Sequence, residues 1–472
     1  MTRATLVFLV LTLAGCAAGP DYKRPEVEIA AAYKEAGEWK PAQPQDDLDR
    51  GKWWGVFGDP QLDALLKQVE ISNQNVLVAE AQFRRAQAVV ASSRAAYFPT
   101  LDANVSVVRS RSPTGVIGGT TAGRIITNRS ASLNAGWEAD LWGRLRRAVE
   151  SGEAGAQASA ADLAAARLSA QAELASSYFQ LRILDAQKQL LEDTVAAFRK
   201  SLDLTKNRYD AGVAAKVDLV QAETQLKSTQ AQAIDTGVQR AQLEHAIAIL
   251  IGKAPAEFSI APAPLAVAMP RVPIGLPSEL IERRPDVAAA ERRVAAANAQ
   301  IGVAKAAYFP SLTLSASYGS RSADASQWFT VPSRFWSIGP ALAQSIFDAG
   351  LRRAQTEQAI ATYDATVAEY RQAVLAGFQE VEDNLAALRI LGEEAEVQEE
   401  AVRAARESVT LTTNQYKAGI VSYINVVTVQ TTQLNNERTA MGILGRRLVA
   451  AVTLVKALGG GWSAAEIAAD NR

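Results

Sequence analysis

With one cysteine and one histidine in 472 residues, the chain can build neither an internal disulfide framework nor a recognisable transition-metal cluster. Its 49 basic and 50 acidic residues leave a net charge of -1, so nothing in the charge balance calls for nucleic acid, which needs a basic face. Beyond the N-terminus no stretch offers eighteen uninterrupted apolar residues, which excludes a transmembrane helix. A membrane passage would have to be made by strands closed into a barrel, because open sheet edges cannot be satisfied in lipid. Chemistry is equally scarce. His245 lies on a helical stretch with no cysteine, second histidine or paired acid at ligand spacing, which reads as a satisfied or solvent-facing side chain. No glycine cluster forms a phosphate loop and no Ser/His/Asp set can be assembled, so the chain is read as no enzyme, with no cofactor.

The lone cysteine carries information by its position. Arg3 precedes an apolar run from Leu6 to Leu13, and Leu13-Ala14-Gly15-Cys16 follows. A basic residue, a short apolar run and small residues mark a secretory signal over residues 1–15. This segment resembles a bacterial lipoprotein signal, which implies cleavage before Cys16 and a covalent lipid on it. A buried free cysteine in a signal cut elsewhere is the plain alternative. Ala17 follows, not the Asp that retains such proteins at the inner membrane, and outer-membrane sorting is expected.

What the chain has in quantity is helix, twice over. Asn207-Arg208-Tyr209-Asp210-Ala211-Gly212-Val213 returns as Asn414-Gln415-Tyr416-Lys417-Ala418-Gly419-Ile420. In each copy a long helical pattern ends at the glycine, where Gly212 and Gly419 supply a φ > 0 position without a Cβ penalty. Ala95-Ala96-Tyr97-Phe98-Pro99 returns as Ala306-Ala307-Tyr308-Phe309-Pro310, and Leu145-Arg146-Arg147-Ala148 as Leu351-Arg352-Arg353-Ala354. Matches in one order at nearly one offset mean duplication. The helical span from Leu145 to Ala211 would be on the order of 100 Å long if unbroken. Leu184, Leu191, Val195, Phe198, Leu202 and Tyr209 follow the steps of a coiled-coil seam, repeated at Leu391, Val402, Val409 and Tyr416.

Between the helices the period changes to two. Leu101, Ala103, Val105 and Val107 alternate with polar residues, as do Ala131 to Leu141, Leu312 to Tyr318, and a fourth strand with Trp336, Ile338 and Leu342 on one face. Such strands fit a tilted membrane crossing, and Trp137, Trp142, Trp328 and Trp336 fit an interfacial girdle. A two-sided surface hairpin is the bland alternative. Four strands cannot close a membrane barrel alone, since about eight is the minimum. Two copies would give eight and three would give twelve; the strand pattern does not choose.

The expected organisation is a signal (1–15), a lipidated linker (16–58) and a first repeat (59–251), with a strand pair at about 99–142 and a helical hairpin at about 145–250. A Pro-rich linker (252–277) leads to a second repeat (278–459), with strands at about 310–347 and a hairpin at about 350–458, and a tail (460–472). The fold class is mainly α with membrane β.

The run Leu280-Ile281-Glu282-Arg283-Arg284-Pro285-Asp286-Val287, then Glu291, Ala295-Ala296-Ala297-Asn298-Ala299 and Ile301 through Pro310, closely resembles the signature of outer membrane factors. These are the TolC/OprM-like exit ducts of tripartite efflux systems; Trp53-Trp54, Phe57 and Asp59-Pro60 match the lipoprotein branch. Read on its own, Arg283-Arg284-Pro285-Asp286 is a helix start, its acid placed at the positive end. The resemblance implies a homotrimer with a twelve-stranded outer-membrane β-barrel and a trimeric α-barrel of the long hairpins. Its partners would be a periplasmic adaptor, an inner-membrane pump of RND type and outer-membrane lipid. It also implies a gate at the tips, where Asp218 and Tyr416 match positions that take part in a lock. Ile424 and Thr428, four apart on one helix face, match a pore constriction. The basic partner found in the family just after the second tip glycine is Val421 here, and the frequent acid of the constriction is Thr428. The expected role is a passive conduit for small amphipathic compounds; a duct for exported polypeptides and a poreless periplasmic coiled-coil scaffold are the alternatives.

Overall fold

The computed structural model describes residues 17–29, 32–36, 52–111, 125–265, 269–270 and 283–462. Cys16 and the signal lie outside these residues, as does most of the Pro-rich linker beyond position 265. Seven α-helices and one four-stranded sheet are described. The first half contributes α1 (Pro60–Ser72), α2 (Gln74–Ala95), β1 (Thr100–Arg111), β2 (Ile125–Ala139), α3 (Arg144–Asp210) and α4 (Lys216–Leu250). The second contributes α5 (Pro285–Ala306), β3 (Ser311–Ser322), β4 (Arg334–Ala343), α6 (Leu351–Lys417) and α7 (Tyr423–Ala457). The duplication is exact in length for the long helices: α3 and α6 each have 67 residues, and α4 and α7 each have 35.

Local chemistry explains the boundaries. Asp59 caps α1 by accepting from the backbone N–H of Gln61 and Leu62 at 2.8 and 3.0 Å, with Pro60 at the first helical position. Asp140 caps α3 from a distance, accepting from the N–H of Leu145 and Arg146 at 3.0 and 2.9 Å. Asp348 does the same for α6, taking the N–H of Gly350 and Arg352 and pairing with the Arg352 side chain. Each carboxylate therefore satisfies orphan donors at the positive end of a very long helix.

The chain divides into two compact units. One comprises the described residues of Met1–Glu26, Gln82–Ser159 and Ala290–Tyr370, and holds the sheet. Its strands form an antiparallel meander in the order β1-β2-β3-β4. The registers line up apolar residues in rows across one face: Leu101–Ala135–Ala316–Ile338, Ala103–Leu133–Tyr318–Trp336, and Trp137–Leu314–Pro340. The other face is polar, with the row Asp102–Asn134–Ser317–Ser337 and a hydrogen bond from Ser317 Oγ to Asn134 Oδ1 of 2.8 Å. At the helix end of the sheet, Trp137 Nε1 donates to the Tyr97 carbonyl and Trp142 Nε1 to the Pro310 carbonyl, both at 2.8 Å. Trp142 also stacks on Phe309, with centroids 4.7 Å apart.

The first described residues dock on this unit. Ala18 N–H donates to the Trp142 carbonyl, Asn298 Nδ2 to the Pro20 carbonyl, and the Tyr22 hydroxyl to Glu291. The buried Arg147 holds both the Ala18 carbonyl and Asp21. Gly19 and Gly302 meet backbone to backbone, and a Cβ on Gly302 would come within 2.7 Å of Arg147 Cγ. Only glycine allows the crossing.

The other unit, from Val27–Ala81, Ala160–Ala289 and Arg371–Arg472, holds the hairpins. Its interior is built on Tyr178, Phe179, Leu181, Leu191, Leu385, Leu448 and Leu454. Two buried arginines, Arg182 and Arg284, are paired with carboxylates. Asp185 pairs with Arg182 at 2.9 Å and with Arg240 at 2.7 Å, and Arg182 also donates to the Ala261 carbonyl, pinning the segment after α4. Arg284 forks onto Asp286, reaches Glu380 at 2.7 Å and donates to the Ala457 carbonyl at 3.1 Å. The Arg283-Arg284-Pro285-Asp286 run is thus a helix start that also closes the end of α7. Among the described residues no helix is long and apolar enough to cross a membrane.

Candidate functional site

The candidate site is the pair of hairpin tips, where α3 turns into α4 and α6 into α7. Both tips close in the same way. Gly212 and Gly419 have φ of +76° and +78°. Gly212 N–H donates to the Tyr209 carbonyl and Val213 N–H to the Arg208 carbonyl, both at 2.8 Å. In the second copy Gly419 N–H donates to Tyr416 and Ile420 N–H to Gln415, at 3.0 and 2.9 Å. This is the Schellman pattern, which satisfies last-turn carbonyls only if the residue after the helix is left-handed. Val213 and Ile420, the next residues, stay well exposed.

The tips differ in what they bury. Tyr416 is 4% exposed and packs with Tyr423, Ala222 and Val426, with Leu202, Val421 and Val427 around them. Its equivalent Tyr209 is 38% exposed. The Tyr416 and Tyr423 rings meet edge to face, 5.3 Å between centroids, and the Tyr423 hydroxyl hydrogen-bonds Ser201 Oγ at 3.1 Å. Burial pushes the Tyr423 phenol up, the Ser201 bond pulls it back, and the charges of Tyr416 and Asp218 add to the rise.

Asp218 stands half-buried in the first turn of α4. Tyr416 Oη is buried and has no hydrogen-bond partner among the described residues, so one protomer makes no Asp218–Tyr416 bond. Ile424 and Thr428 are both exposed, on the side of α7 away from buried Tyr423 and Val426. The Thr428 hydroxyl donates to the Ile424 carbonyl at 2.9 Å, which spends its proton within the helix. The structure therefore packs Tyr416 on Tyr423, with Asp218 near enough to act on the Tyr423 phenol through its charge, and sets Ile424 and Thr428 on a separate open face.

Residues that the sequence reading did not single out make the direct links between the hairpins. Arg208 lies over the Tyr416 ring, 4.8 Å from its centroid, and donates from Nη1 to the Lys417 carbonyl at 3.1 Å. Ser201 holds Tyr423, and Gln225 Nε2 donates to Thr431 Oγ1 at 3.1 Å. The available signal was the mismatch in charge between copies, Arg208 against Gln415 and Asp210 against Lys417, within turns that share their Asn, Tyr, Ala and Gly.

The sequence profile of the outer membrane efflux protein family matches residues 65–253 and, a second time, 276–460. The chain is 31% identical to the probable efflux pump outer membrane protein TtgC of Pseudomonas putida, over 98% of this chain and 96% of that one. It is 32% identical to the solvent efflux pump outer membrane protein SrpC of Pseudomonas putida, over 98% of each. Its fold superposes on the outer-membrane channel OprN with a TM-score of 0.87 at 30% identity, covering 95% of this chain and 100% of that one. Matched along nearly its whole length by such relatives, and twice by one profile, the chain belongs to the outer membrane efflux protein family.

Proposed function

We propose that this protein is the outer-membrane channel of a tripartite efflux system, a passive conduit for small amphipathic compounds gated at its hairpin tips. The observation that carries the reading is the sheet. It has an apolar face suited to lipid, a polar face suited to water, and two open edges, β1 and β4, that the described residues leave unpaired. Lipid does not tolerate open edges. In a four-stranded meander β1 and β4 run in opposite directions, so β4 of one copy can pair antiparallel with β1 of the next. Copies then close a ring in which every edge is used, and three copies give the twelve strands the family resemblance implies.

In this reading the hairpins wall the periplasmic passage and engage a periplasmic adaptor, with an RND-type pump supplying the energy. Cys16 carries the lipid anchor. Support comes from Ala18, two residues on, whose N–H is fixed to the carbonyl of Trp142 beside the aromatic belt. Asp218, Tyr416, Ile424 and Thr428 form the entrance, with Ile424 and Thr428 facing the passage and Asp218 and Tyr416 behind them. The substrate class is supported by relatives named for the efflux of toluene, solvents and antibiotics.

The test is a deletion strain with its pump and adaptor intact. It becomes sensitive to the compounds the pump exports, and sensitivity returns to normal when the gene is restored. Unchanged sensitivity to every such compound contradicts the reading. Loss of polypeptide secretion in place of drug resistance would favour the polypeptide duct.

A further inference from the structure

We propose that Arg208 is the cation that holds the closed entrance, clasping the two hairpins of one protomer through the ring face of Tyr416 and the terminal carbonyl of α6. This rests on the channel reading above and names a holding group for its gate.

The geometry comes first. Arg208 belongs to the last turn of α3, while the ring and the carbonyl it engages belong to the end of α6. Lys417 is the last residue of α6, so its carbonyl is one of the four that the helix leaves unpaired, at the negative end of the dipole. A guanidinium there meets a helix terminus and an aromatic face together, which suits its flat, weakly hydrated shape better than an ammonium would.

The chemistry of Tyr416 points the same way. Its hydroxyl is buried without a partner, so within one protomer the residue acts through its ring and not through its oxygen. Tyr423 braces that ring edge-on and is itself held by Ser201 of α3. The duplication adds a third observation. The counterpart of Arg208 in the second repeat is Gln415, and the position where the family resemblance calls for a base is Val421, which packs against the tyrosine cluster. The cation at this contact comes from the first hairpin. Drawing the hairpins apart strips Arg208 from the ring and the carbonyl in one movement, so the clasp resists opening and leaves the closed helices intact.

The test is single-channel conductance of the purified full-length protein in planar bilayers, comparing wild type with Arg208→Gln, Arg208→Lys, Tyr416→Phe, Tyr416→Leu and Asp218→Ala. Tyr416→Leu raises the open fraction about fivefold per protomer, the size expected for losing one half-buried cation–ring contact, and Arg208→Gln, which also gives up the Lys417 carbonyl, raises it at least as much. The double variant opens no more than Arg208→Gln alone, because that change already removes the ring contact together with the carbonyl bond. Arg208→Lys falls between, and Tyr416→Phe matches wild type because the ring face is kept. Circular dichroism and oligomer mass establish that Arg208→Gln is folded; should it fail to assemble, Tyr416→Leu against Tyr416→Phe decides alone. If Arg208→Gln matches wild type while Tyr416→Phe or Asp218→Ala opens, the lock runs through phenol and carboxylate: the clasp falls and the channel stands. If no variant conducts at all, the clasp falls together with the channel.

Discussion

Tyr178 shows how one side chain ties a helix start to a core. Its hydroxyl donates to Asp59 Oδ2 at 2.7 Å, while Asp59 Oδ1 caps α1, and Arg182 sits 4.9 Å from the ring. Burial, reinforced by the Asp59 bond and opposed by Arg182, pushes the phenol up to about 12. A folded-state value above the unfolded one of about 10 means that the native protein holds this proton more tightly. The stability it contributes is complete below pH 10 and is lost between pH 10 and about 12. Subtracting the alkaline absorbance titration of Tyr178→Phe from that of wild type should leave a step near pH 12; a step near 10 would contradict the buried bond. Arg284 offers a second case. Arg284→Met unpairs Asp286, Glu380 and the Ala457 carbonyl at once. Both carboxylates are partly exposed and can rehydrate, so the expected loss is about 2 kcal/mol, below the full cost of a broken buried pair. Arg284→Lys should not restore it in urea unfolding, because a single ammonium cannot reproduce the fork. The helix start at Pro285-Asp286 was legible from its own few residues. The reach of Arg284 to Glu380 was not, since nothing local to either residue marks a contact 96 positions away.

Among the elements, caps and periods could be read off the sequence and environments could not. Strand alternation, the glycine stops of both hairpins and the paired lengths all follow from local rules. The heptad spacing puts Tyr209 in the same seam as Leu191 and Phe198, yet those are buried and Tyr209 is 38% exposed, while its counterpart Tyr416 is 4% exposed. A straight helix drifts by roughly 20° per heptad against a seven-residue repeat, so seam positions far along it need not face inward. Which copy buries its tyrosine depends on the neighbour supplied, here Arg208 and Tyr423, and not on the turn itself. The glycines make the same distinction testable. Gly212 and Gly252 close their helices with the same hydrogen-bond pattern and with φ of +76° and +70°. A Cβ at Gly212 would meet nothing, whereas one at Gly252 would run into the Ser72 carbonyl. Gly212→Ala therefore costs the left-handed backbone term alone, about 1–2 kcal/mol. Gly252→Ala adds about 1–3 kcal/mol of overpacking. Thermal melts should rank them in that order, and equal melts would show that the close approach to Ser72 is not there.

At the scale of the molecule, the chain offers a four-stranded apolar band whose edges ask for more of the same. Ile338 lies in the middle of that band, in register with Ala316 and 76% exposed in a single protomer. Ile338→Arg should cost about 2–4 kcal/mol if the side chain meets the bilayer midplane. Ser337→Arg, one residue along on the polar face, should be tolerated; the comparison is read as the amount of each variant recovered from outer membranes. Equal recovery would place both faces in water. That the strands must be shared was legible from their number and alternation. The number of copies was not, because edge pairing is satisfied by any ring that closes. The most direct test is the mass of the purified, detergent-solubilised protein with bound detergent subtracted. The account predicts three chains per particle. A stable, folded particle of one chain would contradict it.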